Sequence, residues 1–224
     1  MNLIIRNATL DDLPGIMQVE QDWPEGQRAP AEKMLARIEK SGPGVFVAVV
    51  DGAIVGVTTS CLLRYDREHL DRFTSWDDVT NHGRFFNPGE IKDTNAVYVA
   101  STGIRKPHRG SGIFRKLIGA QIELSKRLGL RFCITAAIME GYANYCKIHG
   151  SVSAKEYALK RKGDAFVDPL IEKLRRVGFG LPDEHHVLAE YYASEDAHDW
   201  SALMVCDNNP AQKISLTPHS SASS

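Results

Sequence analysis

The sequence predicts a single α/β domain, and three observations carry that prediction. Residues 45–50 and 53–60 are two β-branched runs joined by Asp51-Gly52, the composition of a hairpin closed by a type I′ turn. Residues 95–104 have strand character, and a glycine-rich loop then opens into helical apolar periodicity over 112–128. Residues 131–138 form a nearly continuous apolar run, as a central strand buried on both faces requires. With 224 residues and 43% hydrophobic content, the chain can enclose one substantial core and is short for two.

The remaining elements fit around these three. Residues 3–6 read as a strand, and Thr9-Leu-Asp-Asp12 has the cap spacing that opens a helix containing Leu13, Ile16, Met17 and Val19. Pro30 stands where a first helical residue is tolerated; Met34, Leu35 and Ile38 recur at helical spacing until Ser41-Gly-Pro-Gly44 stops them. Residues 62–94 are a polar and aromatic excursion without clear periodicity, in which Phe73, Phe85 and Phe86 suit packing and Trp76 is open to either role. Gly129 ends the helix of 112–128. A second excursion, 139–167, contains the capping box Ser153-Ala-Lys-Glu156; Asp168-Pro169 then caps a helix over 170–177 that Gly178-Phe179 terminates. Two strands follow, 186–192 and 201–206. The domain is expected to span 1–209, and residues 210–224, rich in Ser and Pro, form a tail without apolar content to order it.

Composition narrows the function. A net charge of -1 provides no global basic field for nucleic acid or an anionic membrane. The cysteines, 61, 133, 146 and 206, lack metal-ligand spacing, which suits reduced thiols in the cytoplasm and no metal. No apolar run is long enough for a membrane span, and residues 1–5 meet charge too soon for a signal peptide. His185-His186, if in a strand, would face opposite sides and could not share an ion.

The chemistry concentrates at Arg109-Gly110-Ser111-Gly112. Placed between a strand and a helix, these residues offer backbone N–H groups to an anion, and Arg105, Lys106, His108, Arg109, Arg115 and Lys116 add local positive charge. Arg115 stands where a dinucleotide fingerprint needs glycine, and a Walker loop's Gly-Lys-Ser/Thr is missing. The motif that matches is Arg/Gln-x-x-Gly-x-Gly/Ala of the GNAT acyltransferases, read as Arg109-Gly110-Ser111-Gly112-Ile113-Phe114, with a departure at Phe114. The chain resembles that superfamily over most of its length. Trp23-Pro24, Tyr65-Asp66, Trp76-Asp-Asp-Val-Thr80, Gly141-Tyr142 with Tyr145, Ser153-Ala-Lys-Glu-Tyr157, Asp168-Pro169 and Gly178-Phe179 resemble the GNAT domains fused to nitrilase-like hydrolases, the domain being expected to stand alone here.

The resemblance implies a mixed, twisted central sheet split between its fourth and fifth strands, helices on both faces, a C-terminal β-hairpin, and acyl-CoA (acetyl-CoA first) in the split as co-substrate. By position, Thr102, Gly103 and Ile104 would pair with the pantetheine arm, and Arg109, Gly110, Ser111, Gly112 and Ile113 would hold the pyrophosphate. Phe114 is expected to turn into the core, since 114, 118 and 122 form one stripe. Many GNAT enzymes carry a tyrosine four residues before the glycine of the Gly-Phe pair as general acid; that position is Leu174. Tyr142 and Tyr145, three residues apart, are the candidate acceptor-site residues, with Glu140 or His149 as candidate base; packing of the insert is the alternative role for the tyrosines. The expected activity is N-acyl transfer to a primary amine on a small molecule or peptide. A non-catalytic acyl-CoA-binding module is the alternative, and a third reading uses the excursions as a homodimer or partner surface.

Overall fold

A computed structural model describes residues 2–209; the expected tail lies outside the described residues. The chain opens with β1 (Leu3–Asn7), α1 (Leu13–Glu20) and α2 (Ala31–Lys40), followed by β2 (Val45–Val50) and β3 (Ala53–Leu63). The first excursion holds α3 (Trp76–Thr80). Then come β4 (Ala96–Ile104), α4 (Ile113–Arg127), β5 (Phe132–Ile138), α5 (Tyr142–His149) and α6 (Ala154–Leu159). A small hairpin of β6 (Arg161–Lys162) and β7 (Ala165–Phe166) precedes α7 (Pro169–Arg175), β8 (Val187–Leu188) and β9 (Ser201–Asp207).

Seven strands make one mixed sheet in the order β1-β2-β3-β4-β5-β9-β8, antiparallel throughout except for β4 beside β5. Alternation along the strands divides the core between two faces. Val97, Val99, Cys133, Ala137 and Met204 pack under α4, α5, α6 and α7. On the other face, Val45, Val47 and Val57 meet Ile16, Val19 and Met34 of α1 and α2. Further along that face, Cys61, Tyr98 and Ile134 are covered by Tyr65, Phe73 and Phe85. The first excursion therefore takes the place of a helix, and its aromatics close a core that α1 and α2 are too short to cover.

Local caps explain the helix starts. The Thr9/Asp12 capping box is present and opens a short 3-10 turn that leads into α1, with Asp12 also paired to Arg6 at 2.6 Å. Ser153 Oγ accepts the Glu156 N–H at the start of α6, and Asp168 Oδ1 accepts from Leu170 and Ile171 at α7. One expectation needs correction: the C-terminal hairpin is short. Residues 184–186 form a 3-10 turn, and of the expected strand 186–192 only Val187 and Leu188 pair with β9, because His186 turns inward to Asp183 (2.7 Å) and Tyr65 (2.9 Å).

Candidate active site

The parallel pairing of β4 with β5 stops early. Ala96 through Val99 pair with Phe132 through Thr135, but β4 continues to Ile104 bonded only to β3. A bulge marks the divergence, since Thr59 pairs with Ser101 and Ser60 with Val99, leaving Ala100 unmatched. Arg105 N–H donates to the Val55 carbonyl at 2.9 Å. Because successive residues of a strand address alternate edges, Ser101 and Gly103 turn their peptide groups toward β3, and Thr102 and Ile104 turn theirs into the gap. Of the three residues expected to meet a pantetheine arm, Gly103 has its peptide group turned to β3 and is closely packed: a Cβ there would lie 2.7 Å from Trp23 Nε1 and 3.1 Å from Val19.

At the end of β4 the chain turns through Lys106–His108 into the glycine loop. Gly110 and Gly112 have φ of +81° and +82°, the left-handed region that favours glycine. The backbone N–H groups of residues 110–115 have no acceptor among the described residues, so loop and first helical turn together present a run of free donors. Asp22, just after α1, fixes the approach: its Oδ2 accepts the Lys106 N–H at 2.7 Å and lies 3.3 Å from Arg105 Nε. The Lys106 bond is the main cause holding this carboxyl below its ordinary range, with Arg105 adding to it. Arg109 folds back, its Nε donating to the gap-facing Ile104 carbonyl at 3.2 Å. Phe114 lies half-buried along the stripe with Ile118 and Ile122, and Lys173 Nζ of α7 sits 3.7 Å from its ring centre. Desolvation depresses the Lys173 ammonium, and the charge of Arg109 adds to the effect.

On the opposite face, over the same split, lies a cavity of about 500 Å³ between α1, α2, the first excursion and the segment before β9. Trp23, Trp76, Ala100, Ser101, Ala136, Ile138, Tyr192 and Ser201 line it, together with two buried charged residues. Glu20 is 4% exposed; its Oε2 accepts the Ala29 N–H at 2.8 Å, and burial raises its carboxyl against the opposing pull of that bond and of Arg37. Arg37 is 3% exposed. Its Nε donates to the Gly83 carbonyl at 2.7 Å, Nη1 lies 3.3 Å from Ser101 Oγ, and the guanidinium is stacked near Trp76 and Phe85.

Tyr142, Tyr145 and His149 lie in α5 with Glu140 just before it; none of the four lines this cavity, and the tyrosines pack on the α5 side of the sheet. Tyr142 is buried, donates its hydroxyl to the Val152 carbonyl at 2.7 Å and packs 5.3 Å from Tyr157. Tyr145 packs at a tilt against exposed His149, 4.3 Å between ring centres, and against Tyr157 at 5.1 Å. Glu140 shares its surroundings with Arg109 and Lys173; partial desolvation, then Asp168 and Asp196, raise its carboxyl. Leu174 is buried among apolar side chains. His185 and His186 lie in a turn, His186 being buried, and no group of three His, Cys, Asp or Glu among the described residues could hold a metal. Nor is any helix among them long and apolar enough to cross a membrane.

Sequence reasoning missed Glu20, Asp22, Arg37 and Lys173. For two of them a signal existed. Glu20 stands four residues after Ile16 and Arg37 three after Met34, so each places a charge on the core-facing stripe of its helix.

The split sheet with one parallel pair and helices on both faces is the GNAT fold. No family model matches the chain. The loading GNATL domain of CurA from Lyngbya majuscula superposes with a TM-score of 0.72 at 18% identity, over 92% of this chain and 98% of that one. The GphF GNAT-like decarboxylase in complex with isobutyryl-CoA gives 0.72 at 18% identity, over 91% and 98%. The putative acetyltransferase yncA from Salmonella typhimurium, with acetyl-CoA, gives 0.53 at 15%, over 100% and 99%. In sequence, the chain is similar to the probable hydrolase YhcX of Bacillus subtilis, 27% identical over 180 residues. That match covers 80% of this chain, which spans about a third (34%) of the relative's length.

Proposed function

We propose that the protein is an acyl-CoA-dependent N-acyltransferase, acetyl-CoA being the first donor to test, that acts on a primary amine by direct attack on the thioester. The observation that carries this reading is the meeting of two features at one split. A loop of free backbone donors lies at its α4 side, and a cavity holding a buried carboxylate opens on the α1–α2 side. The neighbours' bound acetyl-CoA and isobutyryl-CoA support acyl-CoA as the ligand of such a split.

In this reading the N–H groups of residues 110–115, with Arg109 and Lys173, hold the pyrophosphate, and the gap-facing peptide groups of Thr102 and Ile104 meet the pantetheine arm. A thioester carbonyl beside the bulge would find an N–H of the diverging strand as its oxyanion donor. The amine enters from the cavity. As its nitrogen bonds to the carbonyl carbon, Glu20 takes the proton, the C–S bond breaks, and the proton passes to the departing thiolate. A thiol with pKa about 8.5 leaves readily enough to do without the tyrosine that Leu174 replaces. Glu140 is the candidate for a proton role on the α5 side. Tyr142 and Tyr145 hold the insert to the sheet.

The testing experiment is a thiol-release screen of acyl donors against amines, with intact-mass detection of the product. Release that requires an amine is the expected result. A second reading, acyl-CoA decarboxylation, draws on the fold shared with the GNAT-like decarboxylase, which is a fold-level analogy. It would give carbon dioxide with the thioester intact. The non-catalytic module, motivated by Phe114 and Leu174, would bind acyl-CoA and release nothing.

A further inference from the structure

Arg37 is the buried charge that the reaction above leaves unused. Its Nε is committed to Gly83 and Nη1 to Ser101, whereas Nη2, beside Gly83, has no acceptor among the described residues, and the residue lines the cavity. No carboxylate lies within ion-pair distance of the guanidinium among those residues. Glu20, in the same cavity, is also beyond that distance, and its Oε1 has no donor. A guanidinium taken out of water with its nearest carboxylate, Glu20, beyond ion-pair distance is costly, and its unpaired Nη2 N–H groups suit a carboxylate oxygen. Ser101, which Arg37 touches, adjoins the bulged Ala100, so the guanidinium lies beside the diverging part of β4.

We propose that the cavity binds a substrate bearing a carboxylate, held by Arg37, with Glu20 facing its amine. This inference rests on the reading of the cavity as the acceptor side. An α-amino acid, or another amine carrying a carboxylate, satisfies both charges at once; the same Arg37 contact could be made by the far carboxylate of a dicarboxylic acyl group on CoA. The acceptor is the source favoured here, because Glu20 then has a partner too.

The test is titration calorimetry on the wild-type protein in two arms. In the first, each standard amino acid is compared with its amide, with and without saturating CoA. In the second, malonyl-CoA and succinyl-CoA are compared with propionyl-CoA and butyryl-CoA. The expected result is at least a fivefold tighter Kd for the carboxylate member of a pair, and the arm in which it occurs identifies the source. In Arg37→Gln the ratio should fall toward one, and Arg37→Lys should keep part of it. If every pair in both arms differs by less than fivefold, or if the preference persists in a folded Arg37→Gln, the proposal is overturned. Should Arg37→Gln fail to fold, the wild-type ratios decide. The CoA titration reports separately on the acyltransferase reading: CoA binding without discrimination sinks only the carboxylate site, and discrimination without CoA binding sinks only the acyltransferase.

Discussion

At the scale of single residues, the site depends on charges placed where helices normally bury apolar atoms. Glu20 lies at the last position of α1, on the face that Ile16 and Val19 press against the sheet. Burial raises its carboxyl, so the acid limb of the pH–rate profile should sit above the ordinary carboxylate range of about 4. Glu20→Gln should lower kcat by about 100-fold or more and remove that limb, with a smaller change in the affinity for acyl-CoA. A kcat within a few-fold of wild type would take Glu20 out of the proton path. Arg109→Glu reverses a charge beside the free donors of the loop and should weaken acetyl-CoA binding by about tenfold or more. Unchanged affinity would remove the loop from the binding site. Neither Glu20 nor Arg37 was chosen from sequence, because a charge within an apolar stripe is usually a helix-edge residue, and only tertiary packing shows that these two face a shared cavity. Arg109 to Gly112 was legible for the opposite reason: its chemistry is local, carried by glycine conformations and by the start of one helix.

At the scale of elements, the divergence of β4 from β5 makes the site. The strands themselves could be read from β-branched runs and the Asp51-Gly52 turn, and α4 from its period. The short β8 could not, since its length is set by His186 turning inward to Tyr65 and Asp183, contacts 121 and 3 residues apart in sequence. That network predicts an acid sensitivity. Desolvation lowers the His186 pKa, opposed by its bond to Asp183, so the folded protein holds a neutral ring that the unfolded chain protonates near 6.5. The unfolded state binds the extra proton, and stability should therefore fall as pH drops below about 6.5, by at most about 1.4 kcal/mol per pH unit from this group. Chemical denaturation at pH 7 and pH 5.5 should show the loss in wild type and a smaller one in His186→Gln; equal losses would discard this origin. The α5–α6 insert gives a second prediction. Tyr142→Phe with Tyr145→Phe removes the bond to Val152 and should cost about 1 kcal/mol of stability while turnover stays within about threefold. A larger fall in turnover at intact fold would return the tyrosines to the chemistry.

At the scale of the whole molecule, in the proposed reading, one sheet separates two half-sites. The helices α4 and α7 bring Arg109, Phe114 and Lys173 to one side of the split, whereas α1, α2 and the first excursion enclose Glu20 and Arg37 on the other. The fold class and the glycine loop were visible in the sequence because each is a pattern along the chain. The cavity on the α1–α2 side was not, because it joins residues near 20, 37, 76, 100 and 192 through a tertiary arrangement that no spacing encodes. A donor on one side and an acceptor on the other account for the free N–H groups and the buried charges together. The measurement that tests this most directly is release of CoA thiol from acetyl-CoA, and from longer acyl-CoA donors, with and without an amine panel and with intact-mass analysis of the amine. The account predicts thiol release that depends on the amine and is matched, mole for mole, by an acylated amine. Binding of acyl-CoA with no amine-dependent release from any donor would contradict it.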